Sequence, residues 1–182
     1  MIKRLFDFVV SAILIAALSW LLFLIYILAS LATSSTGLFL QTRVGRHGQI
    51  FTIYKFRTLH PTTGDINSFS NFLRRSKLDE LPQLFNVLVG DMSMVGPRPD
   101  IPGYYDNLQG EDRKILELRP GITSLASIKY KNEEQLLAAQ SDPHSYNDTV
   151  IFPDKVKMNL EYYYKRTFWG DLKILWWTIF GG

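Results

Sequence analysis

The chain has 182 residues, room for one domain of ordinary size and one appended element. Hydrophobic residues make up 47% and charged residues 20%, which excludes a disordered chain; the lack of cysteine excludes a disulfide scaffold, thiolate metal ligands and a cysteine nucleophile. The net charge of +3, without a long Lys/Arg run, argues against a nucleic-acid partner, and none of the charge falls between Asp7 and Arg43.

That gap comes first in chain order. From Phe8 to Ala32 the only polar side chains are Ser11, Ser19, Ser30 and the Tyr26 hydroxyl. As one helix this stretch would measure about 37 Å, against roughly 30 Å for the hydrocarbon core of a bilayer. It is too long for the apolar region of a signal peptide and too uniformly apolar for an ordinary core helix. Basic residues flank both ends, Lys3 and Arg4 before it and Arg43, Arg46, Lys55 and Arg57 after it. Positive charge tends to stay cytoplasmic, so charge on both flanks leaves room for a helix that enters the membrane and returns, beside one that crosses it; re-entry is the favoured expectation. The candidate break is Ser19-Trp20, where Ser19 can bond back to a carbonyl one turn earlier.

A linker, Thr33 to Gly37, leads into two expected strands, Leu38–Val44 and Ile50–Leu59, joined by a turn at Gly45-Arg46-His47-Gly48. Period-two alternation puts Lys55 and Arg57 on one face, as guards of an edge strand or as anion ligands. Pro61 to Ser70 reads as loop. Phe72 to Val89 reads as helical and interrupted at Pro82. Ser76 with Asp79 has capping-box spacing, while Pro82 suits a helix starting near Leu81. On either reading Asp79 and Glu80 lie at or near a helix N-terminus, where the dipole favours carboxylates.

The glycines and prolines of Gly90 to Gly103 predict loop, with Arg98 held between two prolines as a positioned anion ligand. Short helices are expected at Asp112–Leu118, before Arg119 and Pro120, at Glu133–Gln140, and at Asp154–Arg166 after Pro153. The C-terminus turns aromatic again. Leu172, Leu175, Trp176 and Ile179 keep helical spacing over a run too short to span a bilayer, which suits a headgroup-level helix or one docked on the core.

The residue inventory lacks a Gly-x-Ser-x-Gly elbow, a P-loop, a Rossmann glycine pattern and zinc-type histidine spacing. It retains a carboxylate pair and several arginines. A carboxylate can attack phosphorus, Mg²⁺ takes carboxylate oxygens together with phosphates, and arginine forks fit phosphate oxygens. On composition alone, an Asp-Glu pair beside a helix start is more often a cap on a solvated face.

The order of motifs resembles the bacterial sugar transferase family, the monotopic phosphoglycosyl transferases. The resemblance runs from Lys3-Arg4-Leu5-Phe6-Asp7 through Gln41-Thr42-Arg43-Val44-Gly45 and Phe51-Thr52-Ile53-Tyr54-Lys55-Phe56-Arg57-Thr58. It continues through Leu78-Asp79-Glu80-Leu81-Pro82-Gln83-Leu84-Phe85-Asn86-Val87-Leu88, Gly90-Asp91-Met92-Ser93 and Gly96-Pro97-Arg98-Pro99. Arg119-Pro120-Gly121-Ile122-Thr123 and Asp171-Leu172-Lys173-Ile174-Leu175 complete it.

The resemblance implies transfer of a phospho-sugar from a UDP-sugar to a polyprenyl (undecaprenyl) phosphate, with release of UMP. It makes Asp79 the nucleophile of a covalent intermediate, with Glu80 and Asp79 as Mg²⁺ ligands. Arg98 and Arg119 become phosphate ligands, with Lys55, Arg57 and Arg75 as further candidates. It implies an α+β fold, with a membrane-inserted helix over 1–36 and a catalytic domain over 37–182 on the cytoplasmic face of the bacterial inner membrane. The C-terminal helix, at about 168–180, would lie among membrane lipids at the interface. Two departures stand out: Ser19-Trp20 replaces the family's Ser-Pro, and Ser124-Leu125-Ala126-Ser127-Ile128 replaces Gly-Trp-Ala-Gln-Val, which leaves the sugar unassigned. A membrane-anchored scaffold and a membrane diphosphate hydrolase are the competing readings.

Overall fold

The computed structural model describes residues 2–181. The chain forms two compact units, Met1–Arg43 with Ile50–Ser93, and Val44–Gln49 with Met94–Gly182.

In the first unit the uncharged stretch forms one helix, α1 (Ile2–Thr33), of 32 residues. Its buried residues Asp7, Ser11, Leu22, Ile25, Ala29 and Thr33 fall largely at spacings of three and four, so one stripe faces the unit. The other faces leave Phe8, Ile13, Trp20, Phe23, Leu24 and Leu31 exposed. The helix runs unbroken through Ser19-Trp20, which corrects the expected break. Ser19 Oγ does donate to the Ala16 carbonyl at 2.9 Å, but Trp20 keeps a backbone N–H where proline would have none.

Strands β1 (Leu38–Val44) and β2 (Ile50–Phe56) pair in a two-stranded sheet. Three pieces follow where one interrupted helix was expected: α2 (Ser68–Arg75), a 3-10 turn at Leu78–Glu80, and α3 (Gln83–Val89). Ser76 is not the N-cap that its spacing suggested. Its Oγ donates back to the carbonyls of Phe72 and Leu73, so it closes α2 instead of opening the next element. The core of the unit joins Leu22, Ile25 and Ala29 of α1 to Phe56 and Leu73, with Leu78 and Leu81 packed against it.

Both ends of α1 are tied into this unit. Arg4 donates to the carbonyls of Val87 (2.5 Å) and Leu88 (2.8 Å), two acceptors left over at the end of α3. Gly90 ends that helix at φ +103, and a Cβ there would lie 3.0 Å from the Arg4 guanidinium. Asp7, 2% exposed, accepts from Ser93 Oγ at 2.8 Å. At the other end Asn67 Nδ2 donates to the Ala32 carbonyl. The Lys3–Asp7 segment therefore does structural work along with carrying charge.

The segment from Gly90 to Gly103, which passes into the second unit at Met94, is not all loop, because β3 (Ser93–Val95) lies within it and pairs with β4 (Gly121–Thr123). The helices are α4 (Leu125–Lys129), α5 (Glu133–Ala138), α6 (Pro143–Tyr146), α7 (Phe152–Lys165) and α8 (Phe168–Phe180). Asp112–Glu117 is a 3-10 segment. Val44, Tyr105, Ile115, Leu116 and Val156 form the core. Tyr162 of α7 donates to Asp171 of α8 at 2.6 Å, and both are buried. Helix α8 follows the expected bounds and leaves Trp169, Trp176, Ile179 and Phe180 exposed.

Candidate functional site

The 3-10 turn Leu78–Glu80 presents the two carboxylates. Its flanking residues, Leu78 and Leu81, pack on the core, and this holds Asp79 and Glu80 against the protein at 8% exposure each. Glu80 Oε1 pairs with Lys55 Nζ of β2 at 3.2 Å. Asp79 Oδ1 is buried without a hydrogen-bond partner among the described residues. An orphaned buried acceptor costs about 1–3 kcal/mol, so its persistence calls for a role. Burial first, and then the Glu80 charge, hold the Asp79 pKa above its ordinary value; the charges of Lys55, Lys77 and Arg74 work against that rise.

Asn86 fixes the geometry of this pair. Fully buried on α3, it donates through Nδ2 to the Thr52 carbonyl at 2.7 Å and accepts from the Tyr54 N–H through Oδ1 at 3.1 Å. Its amide thus stands where a neighbouring strand would stand beside β2, one residue before Lys55. The register of Lys55 against Glu80 is set partly by this one side chain.

The other sequence candidates separate. Arg57 donates through Nε to the Thr36 carbonyl (2.9 Å) and through Nη2 to the Leu38 carbonyl (3.1 Å), which secures the segment after α1. Arg75 is exposed at the end of α2. Arg74 and Lys77, which sequence reasoning passed over, are among the cations acting on Asp79. Their only signal was basic charge in and after the last turn of α2, which looks the same as an ordinary complement to the helix dipole.

Arg98 and Arg119 belong to the second unit, each half-buried. They leave a crossing of two backbones. Gly96 N–H donates to the Thr123 carbonyl at 3.0 Å, and Gly121 N–H to the Pro97 carbonyl at 2.8 Å. A Cβ on Gly121 would fall 2.1 Å from Gly96 N, and one on Gly96 would fall 2.3 Å from the Arg119 carbonyl. Only glycine fits at either position. Gly-Pro-Arg-Pro and Arg-Pro-Gly are therefore two halves of one device that brings the two arginine-bearing segments side by side.

Among the described residues no group of three or more His, Asp or Glu side chains forms a metal cluster. Asp79 and Glu80 nevertheless suit Mg²⁺, which commonly binds through one or two carboxylates and completes its shell with phosphate oxygens and water. The unsatisfied Asp79 Oδ1 is the observation that fits such a ligand.

Comparison with known proteins gives one consistent result. A family model described as bacterial sugar transferase matches residues 1–181. A protein of Bacillus subtilis named uncharacterized sugar transferase EpsL is 32% identical, over 98% of this chain and 85% of its own. The UDP-glucose:undecaprenyl-phosphate glucose-1-phosphate transferase of Escherichia coli is 31% identical, over 100% of this chain and 40% of its own. The UDP-N-acetylgalactosamine-undecaprenyl-phosphate N-acetylgalactosaminephosphotransferase of Aeromonas hydrophila is 32% identical, over 98% of this chain and 43% of its own. The chain thus spans less than half the length of the latter two relatives.

Proposed function

The chain belongs to the bacterial sugar transferase family, and on that premise we propose that it moves a phospho-sugar from a UDP-sugar to a polyprenyl phosphate at a membrane surface. In the first step an Asp79 carboxylate oxygen attacks the sugar-bearing phosphorus. The Asp79–phosphorus bond forms, the bond from that phosphorus to the bridging oxygen breaks, and UMP leaves with the electron pair. In the second step a phosphate oxygen of the polyprenyl acceptor attacks the same phosphorus. This restores the Asp79 carboxylate and gives polyprenyl diphospho-sugar, so one difficult transfer is divided into two.

The observation that carries the reading is the buried Asp79 carboxylate, with one oxygen unsatisfied and its neighbour Glu80 already paired to Lys55. A carboxylate that served only as a helix cap would spend its oxygens on backbone N–H groups. The Lys55–Glu80 pair keeps the second carboxylate from adding an uncompensated charge beside the nucleophile. Arg98 and Arg119 would hold phosphate oxygens, a task suited to the guanidinium fork. Mg²⁺, held by Asp79 and Glu80, would neutralise charge on the transferred phosphoryl group.

The acceptor phosphate sits at headgroup depth. Support for a same-side arrangement of α1 comes from its two anchors. Arg4 and Asp7 at one end and Ala32 at the other bind the unit that holds Asp79. Both ends of this unbroken helix would then lie on one face of the membrane, with the helix along the surface and its exposed apolar side in the lipid; that face would be the cytoplasmic one, where nucleotide sugars are made, and the aromatic face of α8 would enter the lipid interface.

The test is an assay with radiolabelled UDP-sugars, with and without polyprenyl phosphate. Release of UMP and acceptor-dependent labelled lipid are expected, both lost in Asp79→Asn. Normal turnover by Asp79→Asn would remove the mechanism, and phosphate release without acceptor would indicate a hydrolase. Labelling Ile2→Cys and Leu40→Cys from each side of sealed vesicles tests the path of α1; labelling from opposite sides would overturn the same-side arrangement.

A further inference from the structure

Lys77 sits two residues before Asp79 with φ 58 and ψ 16, in the left-handed region that favours glycine. The turn needs that conformation. The Lys77 N–H donates to the Arg74 carbonyl and closes α2, while the Lys77 carbonyl accepts from the Glu80 N–H and opens the 3-10 turn. Glycine or asparagine would satisfy these bonds with less backbone strain. Lysine therefore holds a position that the backbone alone would give to another residue, and its side chain is the part left to explain.

Three cations act on Asp79, and they differ in what else they do. Lys55 is committed to Glu80, and Arg74 also has partners within the fold. The Lys77 side chain is exposed, and among the described residues its ammonium makes no ion pair or hydrogen bond. Its three N–H donors are available on the residue that opens the turn carrying the orphaned Asp79 oxygen, two positions before Asp79.

We infer that Lys77 is a diphosphate ligand, donating hydrogen bonds to the phosphate oxygens of the nucleotide as it enters and as UMP departs. The inference rests on the nucleotide-sugar reading above and adds a binding residue to it. A compact ammonium on a flexible stem suits this task, because the charge it meets moves from a bridging diphosphate to a free monophosphate.

The test separates the side chain from the backbone by using the full chain in detergent with Lys77→Gly and Lys77→Arg. Glycine removes the charge and suits the conformation, so its thermal midpoint should equal or exceed that of the unaltered chain. Affinity for UDP, measured by titration calorimetry, should nevertheless fall about tenfold or more, and KM for the UDP-sugar should rise in parallel. Lys77→Arg should keep most of both. Unchanged UDP affinity in Lys77→Gly overturns the inference whatever the turnover. If UDP binding depends on Lys77 but the unaltered chain releases no UMP, the inference stands and the transferase reading falls.

Discussion

The two units position their charged residues by opposite means. In the first, the Asp79-Glu80 turn is held by side chains: Leu78 and Leu81 on the core, Lys55 on Glu80, and the Asn86 amide along β2. In the second, the segments bearing Arg98 and Arg119 are held by two backbones touching where no side chain fits. A side-chain arrangement can lose one member and relax, whereas a backbone crossing has nothing to give. The carboxylate site should therefore respond to substitution in degrees, and the arginine site nearly all at once.

The largest expected effect comes from the crossing. Gly121→Ala places a methyl group 2.1 Å from Gly96 N, so the strands must separate. The expected cost is about 3 kcal/mol or more, with poor yield of folded protein and loss of every activity. A thermal midpoint within a degree of the unaltered chain would show that the crossing is softer than its geometry.

Asp79→Asn should sharpen the contrast from the other side, because it removes chemistry and spares the fold. Turnover should fall by about a thousandfold or more, since an amide does not replace the proposed carboxylate nucleophile. Stability should move in the opposite direction. The folded-state pKa of Asp79 lies above the unfolded value, mainly through burial. As pH rises through that window the unfolded chain releases the proton first, so the unaltered protein loses stability relative to the variant. Asp79→Asn should thus melt higher at pH 7, and the difference should shrink as pH falls through the raised folded value toward the unfolded one at about 4, and level off below it, where both states of the unaltered chain are protonated. For the same reason, the acid limb of kcat/KM should lie above the ordinary aspartate range.

Asn86→Ala is the graded case. It leaves the Thr52 carbonyl and the Tyr54 N–H without their partners and should cost about 2 kcal/mol. Because β2 also carries Lys55, turnover should drop further than the stability loss explains, and Asn86→Asp should restore less than half, having lost the donor. Equal activity per folded molecule in Asn86→Ala would break the link between that amide and the Lys55–Glu80 register.

Much of the outline was legible in the residues, for identifiable reasons. The charge-free run predicted α1, the β-branched and aromatic runs around a turn predicted β1 and β2, though β2 ends at Phe56 and not at Leu59, and the aromatic spacing at the C-terminus predicted α8. These are local periodicities, and local rules read them well. Asp79 and Glu80 were visible as a pair, and Arg98 as a cation between prolines. What the sequence left hidden depends on distant backbone. Strand β3 lies among glycines and prolines and exists because Gly121 lets β4 approach it. Arg57 looked like a partner of Lys55 on one strand face, yet the carbonyls of Thr36 and Leu38 take its donors. Lys77 showed only its basic charge, because a left-handed residue other than glycine or asparagine carries no mark in composition.

Ser76 gives the smallest and most discriminating measurement. Its spacing to Asp79 fits a capping box, and on that reading Ser76→Ala would cost about 1 kcal/mol and loosen the turn that carries Asp79. In the structure its hydroxyl donates backward to Phe72 and Leu73 at an exposed helix end, and the following turn begins at Lys77 without a side-chain cap. Such back-bonding contributes little, because water replaces it readily. Ser76→Ala should therefore shift stability by less than about 0.5 kcal/mol, a change in thermal midpoint below about 2 °C, with kcat unchanged. A full cap-sized loss together with slower turnover would mean that the carboxylate turn depends on Ser76. The contrast between a site held by Leu78, Leu81, Lys55 and Asn86 and one held by two glycines would then have to be redrawn.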